Sequence, residues 1–280
     1  MRALVVNDDG VDSVGIEVLT RVAVAAGLDV VVAAPNVDRS GSSAALTALE
    51  TGGRLVVAPR RFDSIREVEV TAVEASPALI VFVASSGAFG PPPDLVLSGI
   101  NHGPNTGHAI LHSGTVGAAL TGAGQGALAM AVSVDSVQPE HWETASAIAR
   151  RAIDWVMTRG EPGTVLNVNM PDVPLSSVRG LRPARLAAFG AVQAELDRHD
   201  RHHIMVTFSQ DRRDESESTD AGLLRRGWAT ATALRVPFEA TEVDLGALSC
   251  AGEALVEAGS GLQSELRSPR GPATGNAGPR

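Results

Sequence analysis

The sequence contains no tyrosine, and aromatic residues make up only 3% of its 280 positions. A core of that size without many large rings must be built from Val, Ala and Leu. That composition suits a parallel sheet covered by alanine-rich helices. There is a single cysteine, Cys250. One thiol excludes an intrachain disulfide and a cysteine-rich zinc site, and by default it fills space as a small apolar side chain. No stretch is apolar for the length needed to span a bilayer. The amino terminus offers one arginine and a short apolar run that Asp8 interrupts, which is not the pattern of a secretory signal. A soluble, cytoplasmic protein is expected. Positive charge is also in short supply: 23 Lys and Arg stand against 32 Asp and Glu, a net charge of −9. That balance argues against a nucleic-acid duplex or an anionic membrane as partner. A small anion is still admissible where metal or local amides offset the charge.

What is present is organised around Met1 to Gly10. Ala3-Leu4-Val5-Val6 reads as a buried strand that Asn7-Asp8-Asp9-Gly10 terminates, and Val14 to Ala26 carries apolar residues at helical spacing behind a serine cap candidate, Ser13. Leu28 to Ala34 is a second buried strand, so the first third of the chain opens with a βαβ unit and a parallel sheet. Residues 54–75 alternate enough to suggest short strands of a side sheet, and Ser76 to Ala84 reads as a buried helix with a proline in its first turn. Strands follow over 94–101, 128–134 and 165–170, with a glycine-rich helix from Thr115 and a long amphipathic helix over 140–157. From 180 to 240 the pattern breaks into short segments between very polar stretches, which reads as a β-rich lobe or arm separate from the parallel sheet. The run Asp211 to Asp220 is expected to be solvated, as is the pair His202–His203. The Gly/Pro/Ser/Arg-rich tail from Gly259 lacks periodicity and reads as disordered.

Three strand ends carry polar clusters: Asn7-Asp8-Asp9, the loop Asp38 to Ser43, and Ser98-Gly99-Ile100-Asn101. Parallel strands bring their carboxyl ends to one edge, so the clusters can converge there. Two carboxylates, a hydroxyl and an amide oxygen form a hard, all-oxygen set suited to Mg²⁺, Mn²⁺ or Ca²⁺ more than to zinc. Ser113-Gly114-Thr115 enters the glycine-rich helix, where free amides attract phosphate and two hydroxyls add donors. A metal site beside an anion site points to metal-assisted attack of water on a phosphate ester.

These blocks, in order, resemble the survival protein E (SurE) nucleotidases: Asn7-Asp8-Asp9-Gly10-Val11 with Gly15-Ile16, Arg39-Ser40-Gly41 with Leu46-Thr47, Ser98 to Gly107, Ser113 to Ala119, Leu166 to Pro171, and Thr219-Asp220. The resemblance spans residues 1 to about 240. It implies a Rossmann-like three-layer α/β/α fold with a mostly parallel sheet and a β-rich C-terminal arm. The implied division is a metal- and phosphate-binding core over 1–175, an arm and oligomerisation segment over 176–258, and a tail over 259–280. The implied activity is release of phosphate from nucleoside 5′- and 3′-monophosphates with one divalent ion, Mg²⁺ or Mn²⁺, per subunit. Carried over by position, the metal ligands are Asp8, Asp9, Ser40 and Asn101, the catalytic group is Asp8, Asp9 and Asn101, and the phosphate group is Asn101 with Ser113, Gly114 and Thr115. Dimers or tetramers that exchange C-terminal segments are also implied.

Four departures from the family pattern bear on substrate choice. His112 stands for the usual tyrosine, His108 for an acidic residue, Thr121 for a glutamate, and Leu79-Ile80 for a more polar pair. Both histidines are candidates for contacts to the substrate and, with water, for protonating the leaving oxygen. His108 and His112 also have zinc-like spacing, but no Glu sits between them in the H-E-x-x-H position. Rival readings fail on particular residues. A phosphorelay receiver needs an Asp where Asn101 stands, and a haloacid-dehalogenase-type phosphatase needs a spacer between Asp8 and Asp9. A dinucleotide-binding dehydrogenase needs G-x-G-x-x-G where Gly10 to Gly15 stands. A non-catalytic nucleotide sensor is separated from the enzyme by an assay of metal-dependent turnover.

Overall fold

The computed structural model of the chain describes residues 1–48, 54–188, 193–198, 204–209 and 216–236. Cys250, His202–His203, the charged residues 211–215 and the tail from 259 lie outside them.

Short runs rich in Val, Ala and Leu form the central strands, as the composition requires. β1 (Arg2–Val6) and β2 (Asp29–Pro35) flank α1 (Val14–Ala25). β3 (Val57–Phe62) and β4 (Ile65–Val73) precede α2 (Pro77–Ser85). β5 (Leu95–His102), α3 (Gly114–Gly124), β6 (Leu128–Asp135), α4 (Trp142–Arg159) and β7 (Thr164–Pro171) complete the alternation. β8 (Leu181–Pro183), β9 (Gln193–Arg198), β10 (Ile204–Ser209), α5 (Asp220–Arg225) and β11 (Ala229–Arg235) follow.

Nine strands make one sheet in the order β3-β4-β2-β1-β5-β6-β7-β11-β8. The neighbours from β4 across to β7 all pair in parallel. Numbered along the chain, these strands lie in the order 3-2-1-4-5-6 of a doubly wound nucleotide-binding sheet. Strand order reverses between β1 and β5, so a crevice opens at their carboxyl ends. Successive residues of β1 serve opposite faces: Ala3 and Val5 pack with α1 and α4, whereas Leu4 and Val6 pack with α2 and Ala118 of α3. Val116, Ala119 and Ala123 of α3 cover Ala129, Ala131 and Val165 further along the sheet. The periodic residues of the long amphipathic helix, Ala145, Ile148, Ala149, Ala152, Ile153 and Val156, are all buried, as their spacing predicts.

Several local expectations are corrected. β3 and β4 do not form a side sheet; β4 continues the main sheet beside β2, with β3 antiparallel at its edge. The segment read as a separate β-rich arm gives β11 and β8 to the same sheet, β11 antiparallel to β7. Among the described residues only β9 and β10 form a ribbon of their own. Ser13 stands at the N-cap of α1 without capping it, because its Oγ accepts a hydrogen bond from Asn7 Nδ2 at 2.8 Å. Ile80 of α2 is fully buried in the core and so lines no substrate pocket, and Leu79, partly buried, packs against the same cluster. No helix among the described residues is long and apolar enough to cross a membrane.

The first turn of α1 lies directly on the end of β5. A Cβ added at Gly15 would sit 2.1 Å from the carbonyl oxygen of Ile100, a backbone atom that cannot swing aside. Gly15→Ala is therefore expected to destabilise the protein by roughly 2–3 kcal/mol through overpacking. Gly124→Ala, where a Cβ meets nothing within 4 Å, should stabilise it slightly through helix propensity. Chemical denaturation of both variants checks this, and similar midpoints for the two would contradict it.

Candidate active site

β1 ends in Asn7-Asp8-Asp9 inside the crevice at the reversal of strand order. Asn7 is fully buried and closes the turn by donating from Nδ2 to the Gly10 carbonyl at 3.0 Å. Asp8 is only 3% exposed. Its carboxylate is received by the first turn of α3: Thr115 Oγ1 donates to Oδ1 at 2.5 Å and Thr115 N to Oδ2 at 3.1 Å. Gly114 makes this approach possible, since a Cβ there would lie 2.7 Å from Asp8 Oδ2 and 2.6 Å from Ser42 Oγ.

Asp9 turns to the end of β5. The His102 N–H donates to Asp9 Oδ2 at 3.3 Å, and His102 Nδ1 lies 3.8 Å from Asp9 Oδ1. Beside it, Asn101 donates from Nδ2 to the Gly103 carbonyl at 2.7 Å, which leaves Oδ1 as its ligating end. The loop after β2 is tied to Asp8 by the backbone, Arg39 N–H to Asp8 carbonyl at 2.7 Å. In that loop Asp38 Oδ1 accepts from both N and Oγ of Ser40, at 2.7 and 2.6 Å. The Ser40 hydroxyl is thus used as a donor and keeps its lone pairs.

Burial, set against the bonds from Thr115, pushes the Asp8 carboxyl above its ordinary range. Burial, reinforced by the charge of Asp8, raises Asp9 to about 7, and Asp38 adds to the repulsion. Burial also lowers His102. Two adjacent carboxylates held this way lack a counter-charge, and a divalent cation supplies one. Among the described residues no group of three or more His, Cys, Asp or Glu side chains is arranged to hold a metal. The set at the crevice differs in kind: two carboxylates, a hydroxyl and an amide oxygen, which fits a hard cation.

The helix entrance is more constrained than the sequence suggests. Ser113 Oγ accepts from Val116 N at 3.0 Å, and the Gly117 N–H returns to the Ser113 carbonyl at 2.9 Å. With Thr115 committed to Asp8, the donors left for an anion are the Ser113 hydroxyl and the Gly114 amide. His108 and His112 sit on a 3₁₀ turn, Gly107–His112, and both are exposed. The turn is held by the Ser43 hydroxyl, which donates to the Leu111 carbonyl at 2.7 Å.

Sequence reasoning missed five contributors. Asp38 and His102 were adjacent to named residues but gave no signal of their own. Asn167 and Asn169, two apart on β7, share a face, and both donate to the Asn105 carbonyl at 2.9 Å, fixing the glycine-rich loop. Their alternation in an otherwise apolar strand was the available sign. Trp142 lies against His102, with ring centroids 5.9 Å apart. It also lines a cleft of about 570 Å³ beside the first turn of α4.

The family model for survival protein SurE matches residues 3–191. A protein of Edwardsiella ictaluri named 5′/3′-nucleotidase SurE is 35% identical over 244 residues, covering 86% of this chain and 92% of the relative. One of Stenotrophomonas maltophilia (strain R551-3) named 5′-nucleotidase SurE is 37% identical over 246 residues, covering 84% and 90%. The crystal structure of a SurE protein from Aquifex aeolicus superposes with a TM-score of 0.73 at 28% identity, covering 87% of this chain and 96% of that one. With the ordered motifs, the sheet topology and the paired carboxylates in agreement, the chain belongs to the SurE family.

Proposed function

We propose that this protein is a divalent-metal phosphomonoesterase that releases phosphate from nucleoside 5′- and 3′-monophosphates. Its metal site holds one Mg²⁺ or Mn²⁺ per subunit through Asp8, Asp9, Ser40 and Asn101. The observation that carries the reading is the pair Asp8–Asp9 at the strand-order reversal, Asp8 buried and Asp9 partly so, next to the donors Ser113 and Gly114 at the start of α3. The nucleotidase names of the relatives support the substrate class. A bound divalent ion supplies Lewis acidity and offsets charge on the phosphoryl oxygens.

The chain's own residues prepare the rest. Thr115 fixes both oxygens of Asp8, so the carboxylate needs little reorganisation on binding. Asp38 Oδ1 takes the Ser40 hydroxyl proton in a hydrogen bond, which leaves the lone pairs of Oγ for a cation. The Ser113 hydroxyl and the Gly114 amide receive phosphoryl oxygens, with Ser113 Oγ oriented by the bond from Val116 N. His108 and His112, exposed on the turn that leads into Ser113 and Gly114, are candidates to protonate the leaving oxygen.

Three outcomes test this. Asp9→Asn, which keeps the shape of the side chain but removes a ligand charge, should lower turnover of adenosine 5′-monophosphate by at least about a hundredfold. Release of phosphate at the wild-type rate by this variant, or by protein stripped with EDTA, would sink the mechanism. The second outcome is a pH dependence. The Asp9 carboxyl is raised to about 7 from 3.8, so its contribution to the stability of metal-free protein is full below about 4 and lost as pH rises through 7. Metal binds the ionised pair, so the gain in Tm from saturating Mn²⁺ should grow from pH 6 to pH 8. Below pH 7 its affinity should weaken by about tenfold per unit for one displaced proton. A gain that is flat or shrinks with pH would contradict the assignment.

The third outcome concerns assembly. β9 and β10 pair with each other in a sheet of two strands, and such a ribbon is marginal in water without cover. A homodimer or homotetramer that covers it is expected at micromolar concentration. Light scattering that gives a strict monomer would refute this part.

A further inference from the structure

Asp220 lies in a stretch whose composition predicts a solvated loop, yet it is fully buried. Its carboxylate is shared between two distant parts of the chain. Oδ2 accepts from the Gly107 N–H at 2.9 Å, and Oδ1 accepts from the Ala187 N–H at 2.9 Å and from Ala221 N at 2.8 Å. Burying a carboxylate is costly unless such donors answer it, and charge-assisted bonds of this kind are stronger than neutral ones.

The two ends that Asp220 joins have separate roles. Ala187 and Asp220 stand on either side of the excursion that contains β9 and β10. That excursion is closed at its base: Arg185 N donates to the Ser218 carbonyl at 2.9 Å, Asp220 N donates to the Arg185 carbonyl at 2.8 Å, and Arg185 bridges Thr219. Gly107 begins the 3₁₀ turn that runs through His112 into Ser113 and Gly114, the free anion donors. Two residues earlier the same loop is anchored from the core side through Asn105. Asp220 is thus the point at which the base of the C-terminal excursion grips the phosphate end of the crevice. It makes no bond to Asp8, Asp9 or Asn101, which are held by Thr115, His102 and Gly103.

We propose that Asp220 is a positioning residue for phosphate binding, coupling the turn before Ser113 and Gly114 to the base of the β9–β10 excursion. The proposal rests on the nucleotidase reading for the identity of the anion, but its geometry stands apart from that reading. Asp220→Asn keeps the volume and turns one acceptor into a donor, so either Gly107 or the Ala187–Ala221 pair loses its partner.

The test uses full-length protein and three readouts. Hydrogen exchange of residues 103–112 should accelerate in the variant. The inhibition constant for inorganic phosphate and the KM for adenosine 5′-monophosphate should both rise by about tenfold, the scale of a small misplacement of binding groups. Mn²⁺ affinity measured by calorimetry should stay within about twofold, since no metal ligand is touched. Parallel weakening of phosphate and Mn²⁺ would make Asp220 a general stabiliser and overturn the proposal, as would unchanged phosphate binding. Should Asp220→Asn fail to fold, Thr219→Val, which removes the side-chain cap on Gly222 N, loosens the same turn without touching the carboxylate. It should shift phosphate affinity in the same direction by a smaller factor, and no shift would again overturn the proposal. Wild-type protein that binds phosphate and Mn²⁺ but turns over no monophosphate would sink the nucleotidase reading alone.

Discussion

The carboxylate of Asp8 is taken out of water, and the rest of the crevice is arranged around that fact. An ionised group in such a place must be answered by donors or by a cation. Thr115 supplies two donors, and to do so the first turn of α3 must stand against the end of β1. That approach excludes a side chain at Gly114 and brings the loop after β2 onto the same helix. There the backbone of Ser43 lies 2.4 Å from where a Cβ of Gly117 would be. One buried charge therefore sets the distance between a strand, a helix and a loop that are far apart in sequence.

The doubly wound order of the sheet explains why this is affordable only at one place. Between β1 and β5 the helices part to opposite faces, with α1 and α4 on one and α2 and α3 on the other. Asp8 reaches toward α3, while its neighbour Asp9 is met by His102 at the end of β5. Two consecutive residues thus serve two walls of the crevice. Burial raises Asp9 and the charge of Asp8 adds to it, so the pair carries more negative charge than its surroundings answer.

Much of this was legible in the sequence because it is local. The apolar run before Asn7, the helical spacing from Ala145 to Val156 and the proline in the first turn of α2 each specify their element from a few residues. What was not legible depends on partners far along the chain. Thr115 reads as a phosphate donor because it follows a serine at a helix start, and only the neighbouring strand reveals that its hydroxyl belongs to Asp8, 107 positions away. Leu79 and Ile80 look like pocket residues by alignment of motifs, but the face of α2 that carries Ile80 is turned to the sheet. Asp220 sits in a charged run, and composition gives solvation as the answer; backbone N–H groups from residues 107 and 187 reverse it. β11 was obscured for a different reason: an Ala-Thr alternation is weakly apolar, and its place beside β7 is fixed by pairing, not by its own hydrophobicity.

The exposed 3₁₀ turn and the closed helix entrance divide the crevice into parts with unequal freedom to diverge. At Gly114 a single methyl group would collide with Asp8, so a mutation there disturbs the carboxylate before it alters anything a substrate feels. At His108 and His112 the side chains stand in solvent on a turn fastened mainly through its backbone, to Ser43 at one end and Asp220 at the other. Histidine can stand there in place of tyrosine or an acid without retuning the buried charges. A change of side chain at this rim therefore need not move the carboxylates beneath it, and the loop's main-chain anchors are what keep the two mechanically separate.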